Sequence, residues 1–311
     1  MSEDQVRSFR AESIPDPGSL VDPRISTAPE LGALPIVEEV EQGLIRVLAP
    51  NASAMTLDGT NSYLIYGTDG SAIVLDPGPD SPAHLTRMTE VASERGLDIR
   101  AVCLTHHHLD HSESAFSFAS ILGVKVFAHP ECFDKLSYNR LKLSGRASIS
   151  GIEFEVIPTP GHCGDHLSFL LPSGVLLTGD HILGRGTSVV VYPDGNLTQY
   201  LDSLNRVADI DFSRLAPGHG PVMDKGLGEE VISYYLAHRK QRLDQLITAI
   251  RQNPGVSKDE LVDLVYGDLL TEKIKWAALA STLASLRYLE DAHIVVQNAN
   301  GSVDLLDPPR H

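Results

Sequence analysis

The sequence predicts a mixed α/β fold. Short apolar runs of strand length recur from Leu44 onward, and several end abruptly in a polar turn. Between and after them lie segments whose apolar residues return every three or four positions, as on one face of a helix.

Taken in order, residues 1–34 are rich in Pro, Ser, Asp and Glu and show no sustained period. They read as a flexible arm. Leu44-Ile45-Arg46-Val47-Leu48 reads as a strand, as do Ser62–Tyr66 and Ala72–Leu75, joined around the turn Thr68-Asp69-Gly70. Ser81 to Glu94 reads as a helix, with Pro82 at its first position and Leu85, Met88 and Val91 on one face. Ala101–Leu104 is a short buried strand, a helix follows near 112–122, and Val124–Phe127 is a further strand, with His129 beyond it a structural or surface residue. Region 131–150 reads as loops over a site. Strands near 152–157, 167–171 and 175–178 then lead to a helix spanning Leu197 to Ala208. From Glu229 the texture turns helical. Leu236, Leu243, Leu246, Ile247 and Ile250 mark one helix, the capping box Ser257-Lys258-Asp259-Glu260 opens a second, and Trp276, Leu279, Leu283 and Leu286 form the core-facing stripe of a third. His293–Gln297 and Ser302–Leu306 complete a two-stranded wing, so this end has winged-helix-like composition. The expected division is 1–34, 35–228 and 229–311.

The 311 residues suit one large domain and a small one. The sparse, odd set of three cysteines (Cys103, Cys132, Cys163) argues against a disulfide framework and fits a reducing, cytoplasmic setting. No segment has the apolar length of a membrane span, and no secretory signal pattern opens the chain. A formal charge of −16 opposes long-range attraction to nucleic acid. Residues 231–311 hold nine Lys or Arg against ten Asp or Glu, which disfavours sequence-specific DNA binding by the winged-helix-like part. Closing one side of an active site, or supporting a homodimer, suits that part better.

The chemistry concentrates at Thr105-His106-His107-His108-Leu109-Asp110-His111, directly after the Ala101–Leu104 strand. Open α/β sheets place their sites on loops leaving strand ends. His106 and His108, two positions apart in extended backbone, face the same way. Asp110 and His111, from the following turn, can face a second ion. Neutral imidazoles with a carboxylate are zinc-type ligands. A solvated histidine-rich loop would explain this stretch alone. It does not explain why further ligand-type residues recur, each in a tight turn after a strand-like segment: Thr159-Pro160-Gly161-His162, Thr178-Gly179-Asp180-His181 and Pro217-Gly218-His219-Gly220. Asp76, in Asp76-Pro77-Gly78, is either a turn residue capping its own backbone or a support for a ligating imidazole. Cys163 is either a packed thiol or, less economically, a ligand.

The motif His106-x-His108-x-Asp110-His111, with His162, Asp180 and His219, resembles the metallo-β-lactamase-fold hydrolase superfamily over roughly residues 40 to 225. Gly59–Leu64, Asp76-Pro77-Gly78, Thr159–His162 through Asp165-His166, Gly179–Thr187, Pro217–Pro221 and His238-Arg239 are similar to the β-lactamase-like protein 2 group, which carries a C-terminal winged-helix-like domain. The resemblance implies a four-layer αββα sandwich. It implies two zinc ions, with manganese or iron as alternatives, one on His106, His108 and His162 and the other on Asp110, His111 and His219, bridged by Asp180. Two such ions about 3.5–4 Å apart share a water and lower its pKa toward 7. The hydroxide attacks a carbonyl or phosphorus, and Asp110 orients it and carries its proton. Lactamases of this fold generally lack the bridging carboxylate, so Asp180 argues against antibiotic hydrolysis. A histidine at 108, where di-iron relatives have glutamate, favours hydrolysis over redox chemistry. His166, His181, Arg185 and Thr187 are the candidate substrate contacts. The expected function is phosphodiester cleavage in single-stranded RNA. The alternative is glyoxalase-II-type hydrolysis of a small ester or thioester, and a non-enzymatic nucleic-acid-binding scaffold is a third reading.

Overall fold

Strand alternation decides how the layers stack. The computed structural model describes residues 20–133, 138–142, 144–267 and 272–306, and residues 1–19 of the expected arm lie outside them. The first sheet runs in chain order: β1 (Val37–Glu41), β2 (Leu44–Leu48), β3 (Asn61–Tyr66), β4 (Ser71–Leu75), β5 (Asp98–Cys103), β6 (Lys125–Ala128) and β7 (Asn139–Arg140). It is antiparallel from β1 to β4 and parallel from β4 to β7. Along β3 and β4, Tyr63, Ile65, Ile73 and Leu75 face one core, while Leu64, Ala72 and Val74 face another. The second core is covered by α1 (Pro82–Glu94) through Leu85, Met88 and Val91, and, beyond the short α2 (Leu109–Ser112), by α3 (Ala115–Leu122) through Phe118. Burying each such large side chain contributes about 1.5–3 kcal/mol.

The second sheet has the order β13-β12-β11-β10-β9-β8. Its strands are β8 (Gly145–Ile149), β9 (Ile152–Pro158), β10 (Leu167–Leu170), β11 (Val175–Gly179), β12 (Arg214–Pro217) and β13 (Met223–Asp224). Phe154, Val156, Phe169 and Leu177 pack against the inner face of the first sheet. Ile157, Leu176 and Leu215 face outward, onto α4 (Leu197–Ala208) and α5 (Lys225–Gln252). Helix, sheet, sheet, helix is the four-layer order expected of the fold.

At the C-terminal end come β14 (Val256–Ser257), α6 (Lys258–Tyr266), α7 (Glu272–Asp291), β15 (Val295–Gln297) and β16 (Ser302–Leu305). The capping box at Ser257 and Glu260 forms as expected. The wing has three strands rather than two, in the order β14-β16-β15.

Two expectations need correction, and two further observations bear on the expected division of the chain. Residues 20–34 are not a free arm: Arg24 is buried and donates from Nη1 to the Leu183 carbonyl at 2.6 Å and from Nη2 to that of Gly186 at 2.6 Å. The helix expected near 112–122 is broken at Glu113 and Ser114 into α2 and α3. In the region expected to be loops, residues 145–149 pair with β9 as an edge strand, while 134–137 and 143 lie outside the described residues. The boundary at 228/229 falls inside the continuous helix α5, and Leu204 and Val231 share one core with Leu289 and Val303.

Candidate metal centre

The site is built from strand ends. Parallel pairing of β4 with β5, and of β11 with β12, brings Asp76, the 105–111 stretch, Asp180 and His219 to one edge of the sandwich. Two backbone bonds tie the sheets together there: Asn61 N to Gly218 O at 2.7 Å and Leu167 N to Thr105 O at 2.8 Å. The glycine of the Pro-Gly-His turn is dictated by crowding. A Cβ on Gly218 would stand 2.6 Å from Asp180 Oδ1 and 2.7 Å from His111 Cε1.

Two donor groups result. In the first, His219 Nε2 lies 3.1 Å from Asp110 Oδ2, 3.4 Å from Asp180 Oδ1 and 3.3 Å from His111 Nε2. His111 Nε2 is 3.3 Å from the same Asp180 oxygen. In the second, His108 Nδ1 faces His162 Nε2 at 2.9 Å, and the His106 ring lies 4.6 Å from that of His108 and 5.2 Å from that of His162. The other oxygen of Asp180, Oδ2, is 3.7 Å from His162 Nε2, so this carboxylate lies between the groups. His106 Nε2 and Asp180 Oδ1 are buried without hydrogen-bond partners. Lone pairs aimed at one another in a buried place are costly unless something positive sits between them. The residues therefore fit a pair of divalent cations, with nitrogen and oxygen donors of borderline hardness.

The outward-facing ring nitrogens are held in place. Asp76 accepts from Thr105 N at 2.8 Å and Thr105 Oγ1 at 2.7 Å, and its Oδ2 lies 2.9 Å from His111 Nδ1. Thr105 Oγ1 in turn lies 2.9 Å from His106 Nδ1. His219 Nδ1 faces the Gly59 carbonyl at 3.1 Å, and His162 Nδ1 faces that of Val189 at 2.6 Å. Such partners fix the tautomer that leaves the inner nitrogen bare. Of the two readings of Asp76, the support role is the one the hydrogen bonds favour.

The two groups differ electrically. Burial alone would lower the pKa of His111 and His219. Asp180 and Asp110, with Asp76 for His111, outweigh it, raising His111 well above its ordinary value and His219 to about 9. Burial would raise the Asp180 pKa, yet His219 and His111 hold it well below the usual carboxylate range. In the other group burial prevails: His106 falls well below its ordinary value, helped by His111 and His108, and His162 falls to about 4.

Above Asp110 and Asp180 opens a cavity of about 830 Å³. Met55 and Leu57 wall one side, Leu183 and Val189 another, and Tyr266 and Trp276 of the C-terminal region a third. Trp276, expected in the core, is 57% exposed, because this face of α7 borders the cavity, which Ala277, Ala278, Ser281 and Ser285 also line. Of the four candidate substrate contacts, only Thr187 lines the cavity without another evident task. His166 is buried, its Nε2 accepts from Asp180 N at 3.0 Å, and its Nδ1 lies 2.8 Å from Thr159 Oγ1, so it holds the turn that carries Asp180. His181 is buried against the Tyr200 ring, centroids 5.0 Å apart, away from the cavity. Arg185 lines the cavity, but its Nε bonds Asp58 Oδ2 at 2.8 Å and its Nη2 donates to the carbonyls of Pro29 and Glu30, pinning the N-terminal segment. The sequence reading gave no role to Asp194, whose Oδ2 lies 3.8 Å from His108 Nε2, or to Arg239, which donates to the Ser188 carbonyl beside His162.

The metallo-beta-lactamase superfamily profile matches residues 55–219, the span that holds every donor above. The chain belongs to the metallo-β-lactamase superfamily. It is 32% identical to a beta-lactamase-like protein 2 homolog of Drosophila melanogaster over 80% of this chain and 88% of that protein. It is 31% identical to the lactamase-like protein aptB of Emericella nidulans, over 81% of this chain and 82% of the relative. The crystal structure of a beta-lactamase domain protein from Burkholderia ambifaria shares the fold, with a TM-score of 0.75 at 23% identity over 91% of this chain and 96% of that one. As a member of this superfamily the chain is a metal-dependent hydrolase, and its His/Asp clusters are of metal-binding type. Among the described residues, no helix is long and apolar enough to cross a membrane.

Proposed function

We propose that the chain holds two zinc ions and hydrolyses an ester or thioester whose acyl part is largely apolar. His106, His108 and His162 would hold one ion and Asp110, His111 and His219 the other, with Asp180 between. When bound, the ions supply an activated water and polarise the scissile bond. The chain's own work is positioning and proton handling. Asp180, fixed from behind by His166, sets the spacing of the two groups. The Asp110 side chain is 30% exposed, the most open carboxylate of the set, and takes the proton released by the attacking water. No side-chain nucleophile is needed.

The observation that carries the substrate class is the cavity wall. Met55, Leu57, Leu183, Val189 and Trp276 present apolar surface. The arginines that line it are already engaged: Arg185 with Asp58, Arg239 with the Ser188 carbonyl, and Arg242 with Gln245 Oε1 at 3.0 Å. An RNA strand needs free cations along its path. One feature favours RNA as a second reading: Tyr266 and Trp276 offer aromatic faces on which unpaired bases stack.

A panel of acyl-CoA, acyl-glutathione, simple esters and single-stranded RNA, assayed with saturating zinc, separates the readings. Faster turnover of thioesters or esters with lengthening acyl chain supports the proposal. Cleavage of RNA alone transfers the conclusion to the second reading.

A further inference from the structure

His107, between two proposed ligands, and Cys163, directly after a third, have no part in the chemistry above. They meet Asp165 in a cluster that adjoins the hydrolytic donors, since the Cys163 sulfur also lies within 4.8 Å of ligating atoms of His106 and His162, and Cys132 neighbours Asp165. The ligating atoms of His107, Cys163 and Asp165 lie within 4.8 Å of one another, and His107 Nδ1 is 2.8 Å from Asp165 Oδ1. Cys163 is fully buried, Asp165 is 6% exposed and Cys132 7%. Both thiols lie beside the Asp165 carboxylate and, with His107, hold its pKa down against burial, while Asp165 Oδ2 is buried without a hydrogen-bond partner. A carboxylate that only anchored His107 would account for Oδ1. It would not account for the bare second oxygen, because an unsatisfied buried acceptor costs about 1–3 kcal/mol.

We propose that His107, Cys163 and Asp165, with Cys132 moving in from beside Asp165 as fourth ligand, form a further metal site that takes one zinc-type ion next to the hydrolytic pair. Two sulfurs, one imidazole and one carboxylate are a four-donor set suited to a thiophilic, tetrahedral divalent ion. The ion displaces the proton on His107 Nδ1 and takes the bare Asp165 Oδ2 as ligand. Binding releases the two thiol protons to solvent; the Nδ1 proton leaves with them, or moves to Nε2 where the ring starts neutral, so His107 ends with one ring hydrogen on Nε2, which faces Asp194 Oδ2 at 3.6 Å. Filling the bare Asp165 oxygen removes the unsatisfied acceptor. The role is structural: one ion ties the loop of His106 and His108 to the turn of His162 and fixes the spacing of those three rings.

The test replaces the metals of the full chain with cobalt(II). The proposed hydrolytic donors are all nitrogen and oxygen, but Cys163 also lies within 4.8 Å of His106 and His162, so a thiolate-to-cobalt charge-transfer band in the near ultraviolet is assigned to this site by its dependence on Cys132 as well as Cys163. The expected result is such a band, with one cobalt per chain beyond those held by the hydrolytic donors. Cys132→Ala and Cys163→Ala should each lose the band and that equivalent while keeping the visible absorption of the hydrolytic pair, and Cys103→Ala should keep both. Absence of the band at saturating cobalt overturns the proposal. So does a band that survives either Cys132→Ala or Cys163→Ala, one lost in Cys163→Ala alone placing that sulfur on the His106 and His162 group, or a band lost only in Cys103→Ala. A Cys132–Cys163 disulfide in freshly purified protein, seen by peptide mapping without reductant, would equally exclude it. Thioester turnover without the band, or the band without turnover, distinguishes failure of this inference from failure of the proposed function.

Discussion

Replacing Asp76 by Asn tests whether the donor set is built around cations. Asp76 is 2% exposed and serves both groups: it faces His111 directly and reaches His106 through the Thr105 hydroxyl. Its φ of 51° is left-handed, a region Asn tolerates about as well as Asp, so Asp76→Asn adds no backbone strain. The amide keeps one acceptor oxygen for Thr105 but sets an NH₂ group against Thr105 Oγ1 or His111 Nδ1. The His111 ring then loses the partner that leaves its Nε2 bare. Removing such a partner typically costs about 10–100-fold in metal affinity. At about 1.36 kcal/mol per decade this is roughly 1.4–2.7 kcal/mol. The effect should be larger for the His111 group, which touches Asp76, than for the His106 group, which is one hydroxyl removed. Competition against a chromophoric chelator at fixed pH measures both affinities, and a thermal melt of the metal-free chain checks the fold. If both affinities stay within about twofold of the unsubstituted chain while the melt is unchanged, Asp76 is a turn residue and the reasoning fails.

Asp180→Asn and His108→Ala should abolish turnover while far-ultraviolet circular dichroism stays that of the unsubstituted chain; near-normal rates in either would refute the ligand allocation. Arg185→Ala should lower thermal stability by about 3 kcal/mol, the cost of stranding the buried Asp58 carboxylate, and should expose residues 20–34 to limited proteolysis with little change in KM; a large rise in KM with unchanged stability would restore Arg185 as a substrate contact. Acid should unfold the protein steeply. Burial depresses His84 to about 4, with Arg87 adding to it, and His181 to about 3, so both stay neutral in the fold but take up protons near pH 6.5 when unfolded. Stability therefore falls as pH drops from 6.5 toward 4, by up to about 2.7 kcal/mol per pH unit from this pair, and melting midpoints across that range measure the slope. The metal-free chain should also lose stability on the alkaline side. The folded pKa of His219, about 9, lies above its unfolded value, so its contribution is complete below pH 6.5 and lost as pH rises through 9. Bound metal replaces that proton, so the alkaline loss should vanish when zinc is added before the melt.

The proposed ligands were legible because each follows a strand end in its own short turn, and the register of the strands carries them to one edge. Their neighbours were harder to read for a related reason. Adjacent residues in extended or turning chain face opposite ways. His181, next to Asp180, turns its ring onto Tyr200. His166 lies near His162 in sequence but supports Asp180 from behind. Arg185 and Arg24 find partners that no local pattern encodes: Asp58 lies 127 positions from Arg185, and the Leu183 carbonyl 159 from Arg24. Trp276 shares helical spacing with Leu279, Leu283 and Leu286, and that period identifies a face without showing where the core beneath it ends.

That last limit bears on how the enzyme's specificity is organised. Every proposed metal donor lies between His106 and His219, whereas Tyr266, Trp276 and Arg242, which also line the cavity, come from the C-terminal region. Helix α5 crosses the boundary without a break, and one core joins its two ends. The wall therefore cannot swing freely about a linker. Substitutions such as Trp276→Ala should alter which acyl groups are accepted without touching the donors, so chemistry and selectivity can change independently.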